Sequence, residues 1–580
     1  MLSLIRSGLI SLKEGTKRHG KDTHFFLILM RNLVILFLFC LIFSVSAPLG
    51  AQTEAEILEL IDPDNFSEAA YARLVEMVHD LQIENHLTPP DSLPDSLRFH
   101  RHPKHTLILS GKADADDFDS HKETVRYDIR LTQGDNAWRA GLVNRHYYAS
   151  LTRQKGWLRQ ALVGHYRLSM GSGLICNQRF SLGKNLAGKS FFQKSLPLSV
   201  HSSTLDDGYM QGVALRLRPF SHWEVLPFVS VQKVDDDKGR IMTNTGGRVR
   251  WLGEWFEVGG NVLYTLLQHD YVRAERQYNH NWFRGHQLVQ GSIDYEALWL
   301  GMHLRGETAV DDGGGWATVN ALHYTLFDDW NLTALFRQYS NHYRQLLGSS
   351  VAEASAMQGE RGEMLQVDGG LSAHWSLQAS ADWFHFTQPQ YGIYQPSDGY
   401  ELACKLLYNR TFVRHTWQAS LHYRLKAKYK NNTLTEASSD VTPYYRHSLD
   451  GNLLWQSPFG LQLKAQSHLR LYSAQNTGGI SAGYSFSQAV VWKRDDCPVT
   501  GEVQGTWFRT DNYDCRVYLS EKNLLYGFTI PMLNGEGIRL SAVLACRMGR
   551  HFSLQAKYAH TEYKAAPRRN QLWAQLVSKF

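Results

Sequence analysis

The residues best suited to bind a charged ligand are concentrated in one stretch, residues 171–207, which is rich in glycine and serine. Its basic residues are Arg179, Lys184, Lys189 and Lys194. A connection of 37 residues is far longer than a hairpin requires, and connections of that length usually serve a function. We expect this loop to fold inward as a partial plug or constriction, and an ordinary surface loop is the alternative.

Gly171-Ser172-Gly173 invites comparison with a phosphate-binding loop. No helical pattern follows it, however, and no lysine with a following hydroxyl residue stands at the required spacing. The sequence therefore predicts neither a nucleotide site nor any other cofactor.

Histidine and cysteine offer no clearer metal site. His100, His102 and His105 form a short cluster, and such clusters can bind metal, but the adjacent Arg101 and Lys104 indicate a solvated basic stretch. The cysteines beyond residue 51 are odd in number and lack metal-ligand spacing: Cys176, Cys404, Cys497, Cys515 and Cys546. A disulfide between Cys497 and Cys515 is an alternative, although the strand between them separates them to opposite ends.

Two pairs of serine and histidine are candidates for nucleophilic catalysis. Ser467 and His468 are adjacent in a strand pattern and point to opposite faces. Ser169 and His165 share a face but show no orienting partner, which nucleophilic catalysis needs. We predict no catalytic residue, and a hydrolase is the alternative hypothesis.

These residues must be positioned by strands, because from residue 104 onward apolar and polar residues alternate with a period of two. The pattern is clearest over residues 461–471, where Leu461, Leu463 and Leu469 alternate with polar residues. Such runs reach the length of about 9–11 residues that a tilted strand needs to cross a bilayer. One apolar and one charged face fit lipid outside and water inside. The sequence predicts an all-β membrane barrel over residues 104–580, with 22 to 26 antiparallel strands.

The two ends of the chain indicate the compartment. Residues 1–51 form a basic and apolar signal peptide, for which Met30 is an alternative start. Residues 571–580 alternate and end on Phe580, an expected assembly signal for the barrel assembly machinery. Removal of residues 1–51 takes away six basic and two acidic residues and lowers the formal charge from +6 to +2. We therefore expect the outer membrane of a Gram-negative bacterium, with its lipid as the barrel's partner.

A short segment precedes the barrel. Residues 52–87 show apolar residues at helical spacing, among them Tyr71, Leu74 and Val78, and contain no glycine. Residues 88–103, with Pro89-Pro90 and Pro94, read as a linker. We expect a small periplasmic helical segment that could bind an envelope protein; it is too short to form the globular plug of an energy-coupled transporter.

Basic residues on the polar face should point into the lumen. They include Arg126, Arg130, Arg216, Arg218, Lys464 and Arg470. Rings of basic residues favour anions in a pore. Acidic residues such as Asp128 and Glu502 share that face, so that cross-strand ion pairs are the alternative.

Three runs of sequence support a family resemblance: HYRLSMGSGL (165–174), FSLGK (180–184) and HSSTLDDGYMQGVALRLRP (201–219). Together with the helix-plus-linker layout, they resemble Bacteroidota outer-membrane barrel proteins that carry an N-terminal helix-hairpin-helix region. The resemblance is clearest over about 55 residues and looser over the rest of the barrel. It implies an outer-membrane barrel and does not imply a substrate.

The chain departs from that family at the hairpin itself. A helix-hairpin-helix grips nucleic-acid phosphates with backbone amides of a glycine-bearing hairpin, and residues 52–110 contain no glycine. We do not expect nucleic-acid binding.

The sequence thus favours an outer-membrane pore or transport-related channel for polar or anionic solutes or a polymer. The competing hypothesis is a non-conducting structural or assembly protein of the cell envelope that binds a partner through its N-terminal helices.

Overall fold

The computed structural model describes the chain from residue 103 onward with several gaps. The described ranges are 103–114, 117–178, 191–192, 197–203, 208–233, 240–271, 274–327, 330–354, 356–432, 441–474, 479–494, 496–524 and 530–580. Side chains within 113–122 are outside this description. The predicted signal peptide, helical segment and all but the last residue of the linker lie outside the described residues.

Antiparallel strands make up most of the described chain. They are β1 (Lys104–Asp114), β2 (Asp117–Gln133), β3 (Asn136–Val143), β4 (His146–Arg153), β5 (Leu158–Leu168), β6 (Leu198–Val200), β7 (Met210–Phe220), β8 (Trp223–Lys233), β9 (Ile241–Leu252), β10 (Phe256–Tyr271), β11 (Gly285–Trp299), β12 (Met302–Asp311), β13 (Trp316–Phe327), β14 (Trp330–Tyr339), β15 (Glu360–Ser372), β16 (Trp375–Phe386), β17 (Ser397–Phe412), β18 (His415–Asn431), β19 (Val441–Gln456), β20 (Leu461–Ala474), β21 (Ile480–Trp492), β22 (Val499–Thr510), β23 (Val517–Tyr518), β24 (Met532–Leu533), β25 (Glu536–Met548), β26 (Phe552–Tyr563) and β27 (Arg569–Lys579). Two 3-10 helices, Gln277–Asn279 and Tyr513–Cys515, lie in connections.

The strands close into a single barrel. Each long strand pairs with its neighbours in sequence, and β1 pairs with β27 from Thr106 opposite Lys579 to Asp114 opposite Gln571. Three short strands do not form part of the wall. β6 pairs with the C-terminal end of β5, and β23 and β24 form a separate hairpin. The remaining 24 strands form the closed wall, which confirms the predicted barrel and falls within the expected range. Closure leaves no unpaired edge, as lipid requires.

The closing seam involves Phe580. Its backbone exchanges two hydrogen bonds with His105, at 2.9 and 3.0 Å. Its ring packs against those of His551 and Phe552 and stays 60% exposed. The aromatic residue therefore joins the ends of the wall and faces outward.

The outer face of the wall is apolar. Leu463 and Leu469 are 43% and 36% exposed on it, as the alternating pattern predicts. A belt of outward tryptophans lies near the short turns, each 41–64% exposed: Trp138, Trp223, Trp255, Trp299, Trp375, Trp417 and Trp492. An apolar band bordered by such aromatic residues is the surface that a bilayer and its interfaces cover.

The two ends of the barrel differ in their connections. One end carries short turns, such as residues 134–135 and 300–301, and the other carries long loops. In outer-membrane barrels the short turns are periplasmic and the long loops extracellular. Among the described residues, no helix is both long and apolar enough to cross a membrane.

Candidate functional site

The inner face of the barrel is polar where the outer face is apolar. In β18, His422, Arg424 and Lys426 point inward and are 2–8% exposed. Leu421, which directly precedes His422, is 50% exposed. Successive residues of a strand point to opposite faces, so this contrast follows directly from the alternating sequence. The polar inner face and the loops inserted against it form the candidate functional site.

Several of the predicted lumen cations form ion pairs on this face. Arg130 Nε lies 2.8 Å from Asp128, whose carboxylate also accepts a hydrogen bond from Arg139 at 2.7 Å. Arg126 is buried on the same strand, with 3% of its surface exposed. Arg216 lies 2.7 Å from the carboxylate of Glu224. The cross-strand ion pairs considered from the sequence are therefore present in this part of the wall.

The remaining predicted cations lie farther round the wall. Lys464 Nζ is 2.9 Å from Glu502 and Arg470 Nη2 is 2.7 Å from Asp450. Arg218 instead donates two hydrogen bonds to the carbonyl of Ser221, at a turn. The basic residues predicted in the long loop, Arg179, Lys184, Lys189 and Lys194, lie outside the described residues.

The described parts of that long loop pack inside the barrel. We call the connection between β5 and β7, residues 169–209, loop A. The Glu307 carboxylate of β12 accepts hydrogen bonds from the backbone N–H groups of Ser172, at 2.5 Å, and Leu174, at 3.2 Å. Arg305, two residues earlier on the same face, donates to the carbonyls of Phe191 and Gly171 at 2.7 and 3.1 Å. The wall thus holds loop A by its backbone.

The glycines of the Gly-Ser-Gly motif permit this close approach. Gly171 and Gly173 both have positive φ, at 56° and 91°. A Cβ on Gly171 would lie 2.5 Å from the Glu307 carboxyl carbon, and one on Gly173 would lie 2.5 Å from the Ser349 carbonyl oxygen. The motif serves packing between a loop and the wall rather than phosphate binding.

A second inserted connection, loop B, comprises residues 340–359 between β14 and β15. Loops A and B pair inside the barrel: Ser349 N–H donates to the Gly173 carbonyl and Asn177 N–H to the Leu347 carbonyl, each at 2.9 Å. The Tyr343 hydroxyl donates to the Leu174 carbonyl at 3.0 Å. The two loops therefore insert as one unit.

Loops A and B rest on a continuous apolar cluster. We call the inner wall of β3–β15, with these loops, the packed sector. Its cluster includes Leu162, Tyr166, Leu174, Ile175 and Tyr339, which are at most 2% exposed. Nearer the turns the same strands carry ion pairs, such as Arg248 with Asp294 at 2.5 Å. Burial of apolar side chains is the main force holding these loops.

Loop B also contacts β18, three strands farther along the wall. Glu353 is completely buried, and its carboxylate lies 2.6 Å from Lys426 Nζ and 2.9 Å from Lys428 Nζ, both on β18. The backbone N–H groups of Glu353 and Ala354 donate to Glu360 at 2.9 Å. One loop carboxylate is therefore clamped between two inward-facing wall cations.

A third inserted connection, loop C, comprises residues 511–535 between β22 and β25. We call the inner wall of β17–β27, with this loop, the charged sector. Glu521 of loop C is 2% exposed and contacts Arg539 of β25 and, at 3.1 Å, Lys557 of β26. Lys557 also donates to Asn523 at 2.8 Å. A second loop carboxylate is thus held between two wall cations.

The charge of Glu521 follows from these contacts. Burial raises the pKa of its carboxyl group, but Lys557 and Arg539 lower the pKa by more, so that the net pKa lies below its ordinary value. An opposite charge in hydrogen-bond contact favours the ionised form. Glu521 is therefore ionised at neutral pH.

The apolar contacts of the charged sector are small by comparison. Leu524 of loop C packs with Val543, Ala559 and Trp573. Cys515 of the same loop packs with Tyr444, Tyr472 and Ala474. Loop C is consequently held by charge as much as by apolar burial.

Arg337 of β14 lies at the boundary between the sectors. It is fully buried, with Nε 2.6 Å from Glu360 and Nη1 2.7 Å from Asp382. Glu360 in turn accepts the loop B backbone hydrogen bonds described above. Arg337 therefore fixes the carboxylate on which loop B is anchored.

Sequence reasoning did not identify Glu353, Glu521 or the insertion of loops B and C. The usable signal was loop length, since each connection is far longer than a hairpin needs. Loop B is anchored to lysines more than 70 positions away, and no local pattern reports such a pairing.

The serine and histidine considered for catalysis have other surroundings. His165 Nδ1 lies 3.0 Å from the Tyr147 carbonyl, and its ring contacts those of His146 and Tyr209. Ser169 donates its backbone N–H to the Pro197 carbonyl.

The described cysteines are all free thiols, so Cys497 and Cys515 do not form a disulfide. Cys497 lies in a turn and Cys515 in loop C, at opposite ends of β22, as expected from the sequence. Within the described ranges, no group of three histidine, cysteine or acidic side chains is arranged to hold a metal ion.

A closed wall of 24 strands, apolar outside and polar inside, defines an outer-membrane β-barrel protein of a Gram-negative bacterium. No protein-family model matches the chain. No curated protein matches it either.

Solved structures to which the chain is similar include two receptors and an iron transporter. A mutant of the ferric enterobactin receptor PfeA from Pseudomonas aeruginosa has a TM-score of 0.45 at 10% identity, covering 83% of this chain and 81% of the receptor. The FrpB iron transporter from Neisseria meningitidis has a TM-score of 0.41 at 8% identity, covering 83% of this chain and 82% of the transporter. The ferripyoverdine receptor of P. aeruginosa has a TM-score of 0.38 at 10% identity, covering 83% and 72%. These likenesses assign no ligand to this chain.

Proposed function

We propose that this barrel passes polar solutes, anionic solutes among them, across the outer membrane, and that loops A, B and C narrow the path. The observation that carries the proposal is the polar, ion-paired inner wall of the charged sector. Pairs such as Lys464 with Glu502 and Arg470 with Asp450 face the interior, where a protein without a water-filled path would gain from apolar packing instead.

Barrel width supports the same proposal. Eight strands leave an interior just wide enough for side chains, whereas barrels of 16 to 18 strands enclose a channel and wider ones hold a plug. A wall of 24 strands is too wide to be filled by its own side chains. Three inserted loops occupy part of this interior and would restrict the passage of large solutes.

The pairing of the cations bears on selectivity. Arg130, Arg216 and Lys464 each contact a carboxylate, so that their charge is largely compensated. A ring of unpaired basic residues would select strongly for anions. We therefore expect polarity and size to decide passage first, with a weaker preference for anions.

Single-channel recording in planar bilayers with the purified full-length protein tests this function. We expect discrete conductance steps and, under a KCl gradient, a reversal potential that indicates modest anion preference. A barrel that inserts without conducting would contradict the proposal. If such a silent barrel retained an envelope protein during purification, the scaffold hypothesis would take its place.

A further inference from the structure

The two loop carboxylates share one arrangement. Glu353 of loop B lies between Lys426 and Lys428, and Glu521 of loop C lies between Arg539 and Lys557. All of these side chains are buried except Lys428, which is partly buried. Each inserted loop therefore presents one carboxylate to two cations of the wall.

The cations belong to the wall and not to the loops. Lys426 and Lys428 stand two residues apart on β18 and so face the interior together. Arg539 and Lys557 lie on the paired strands β25 and β26, and Arg539 also donates to Thr561 at 2.6 Å. Both cation pairs would stay in place if the loop carboxylates withdrew.

A pair of cations with a carboxylate between them is an oxyanion-binding site with an internal occupant. Guanidinium and ammonium groups form strong, charge-assisted hydrogen bonds with carboxylate and phosphate alike. Lys426 also lies 3.7 Å from Glu401, but removal of the carboxylate on which two cations converge is costly and favours its replacement by another anion. The carboxylate that leaves with the loop and the solute anion that replaces it thus make the same kind of contact with the two cations.

We propose that these two wall cation pairs bind a carboxylate or phosphate group of an anionic solute, which displaces Glu353 and Glu521 and thereby releases loop C and the Glu353 segment of loop B. The inference rests on the proposed function, because displacement matters only if solutes enter the lumen. It adds to that function a solute class and the way the path opens.

Cys515 provides a native reporter of loop C. It is fully buried against the inner wall, six residues before Glu521. Burial raises the pKa of the Cys515 thiol to about 11, so that the closed loop protects it from maleimide both sterically and chemically. Release of loop C would expose it to solvent and increase its labelling.

The experiment measures maleimide labelling of Cys515 in full-length protein in liposomes. Cys404, Cys497 and Cys546 are replaced by serine and Cys176 by alanine. Glu521→Gln keeps the shape of the side chain and removes its charge. We expect about tenfold faster labelling, the change that loss of a charge-assisted contact produces. Millimolar citrate or inorganic phosphate should accelerate labelling of the unaltered loop, and sucrose should not.

Loop B is tested in the same way with Ala354→Cys as the only cysteine and Glu353→Gln as the variant. The matched control is Glu363→Gln, which removes an exposed carboxylate paired with Arg361 at 2.8 Å on the outer face. It should leave both labelling rates unchanged. Heat-modifiable migration in gels verifies that every variant is folded.

The outcomes separate this inference from the proposed function. Labelling that neither Glu521→Gln nor the anions accelerate would overturn the inference even if the protein conducts. Acceleration by Glu521→Gln with none by citrate or phosphate would also overturn it, since the site would then not accept a solute anion. A protein that does not conduct but shows all the expected labelling would overturn passage alone.

Discussion

The packed sector and the charged sector line the same barrel, but they hold their inserted loops by different forces. Loop A and most of loop B lie on a continuous apolar cluster that includes Leu162, Tyr166 and Ile175. Loop C has only small apolar clusters and a carboxylate between two cations. Apolar burial cannot be exchanged for a solute, whereas an ion pair can. The comparison indicates that loop A and the part of loop B on that cluster fill the barrel permanently, whereas loop C and the Glu353 segment of loop B can be released.

The largest effect is expected at the boundary between the sectors. Arg337→Met removes the only described cation in contact with both Glu360 and Asp382 and leaves two buried carboxylates. Breaking a buried ion pair in this way costs about 3–5 kcal/mol. Urea unfolding in detergent, followed by heat-modifiable migration, measures the loss. A variant as stable as the parent would show that this anchor is dispensable.

A pair of truncations compares the sectors directly. Leu174→Ala in loop A empties a fully buried site in a large cluster and should cost about 2–5 kcal/mol. Leu524→Ala in loop C lies in a cluster of four residues that can collapse more easily, and it should cost less than about 2 kcal/mol. The same unfolding assay gives both values. Equal costs would remove the distinction drawn here.

The sequence predicts the strands of both sectors, because a local pattern of residues encodes them. Alternation over residues 461–471 specifies a two-faced strand, and strand length places it in a membrane. The loops are different, because Gly173 meets Ser349 and Glu353 meets Lys426 only after the barrel has closed. A charge on a loop looks the same in sequence whether water or a wall cation surrounds it. The paired lumen cations and the clamped glutamates therefore needed the structure.

Salt should distinguish the sectors by a smaller effect. At 1 M salt the Debye length falls to about 3 Å; the buried ion pair itself is screened little, but the separated charges of a released loop are stabilised, while apolar burial stays intact. We expect maleimide labelling of Cys515 in loop C to rise a few-fold, while Cys176 in loop A stays protected. Each thiol is followed as the only cysteine of the protein. A rise at Cys176 alone would reverse the comparison.

Acidity should act on loop C in the same direction. The pKa of Glu521 is lowered in the folded barrel, so its stabilising contribution is complete above the ordinary pKa of 4.5 and is lost as the pH falls through the folded value. Conductance should therefore be constant from pH 8 to about pH 5 and rise below it. Glu521→Gln should abolish this acid-dependent rise. An increase already complete at pH 6 would contradict the assignment.

The smallest effect is expected outside both sectors. Arg361 and Glu363 form an ion pair whose side chains are each 57% exposed. Such pairs contribute about 0–1 kcal/mol, so Glu363→Gln should leave stability and conductance nearly unchanged. A large change would mean that the outer face takes part in closing the path.

Single-channel conductance of Glu521→Gln and Leu174→Ala, each compared with the parent protein, tests the central claim most directly. The account predicts a larger open conductance for Glu521→Gln, because loop C leaves the path, and an unchanged conductance for Leu174→Ala in molecules that remain folded. The account would be contradicted if Leu174→Ala increased the conductance and Glu521→Gln did not.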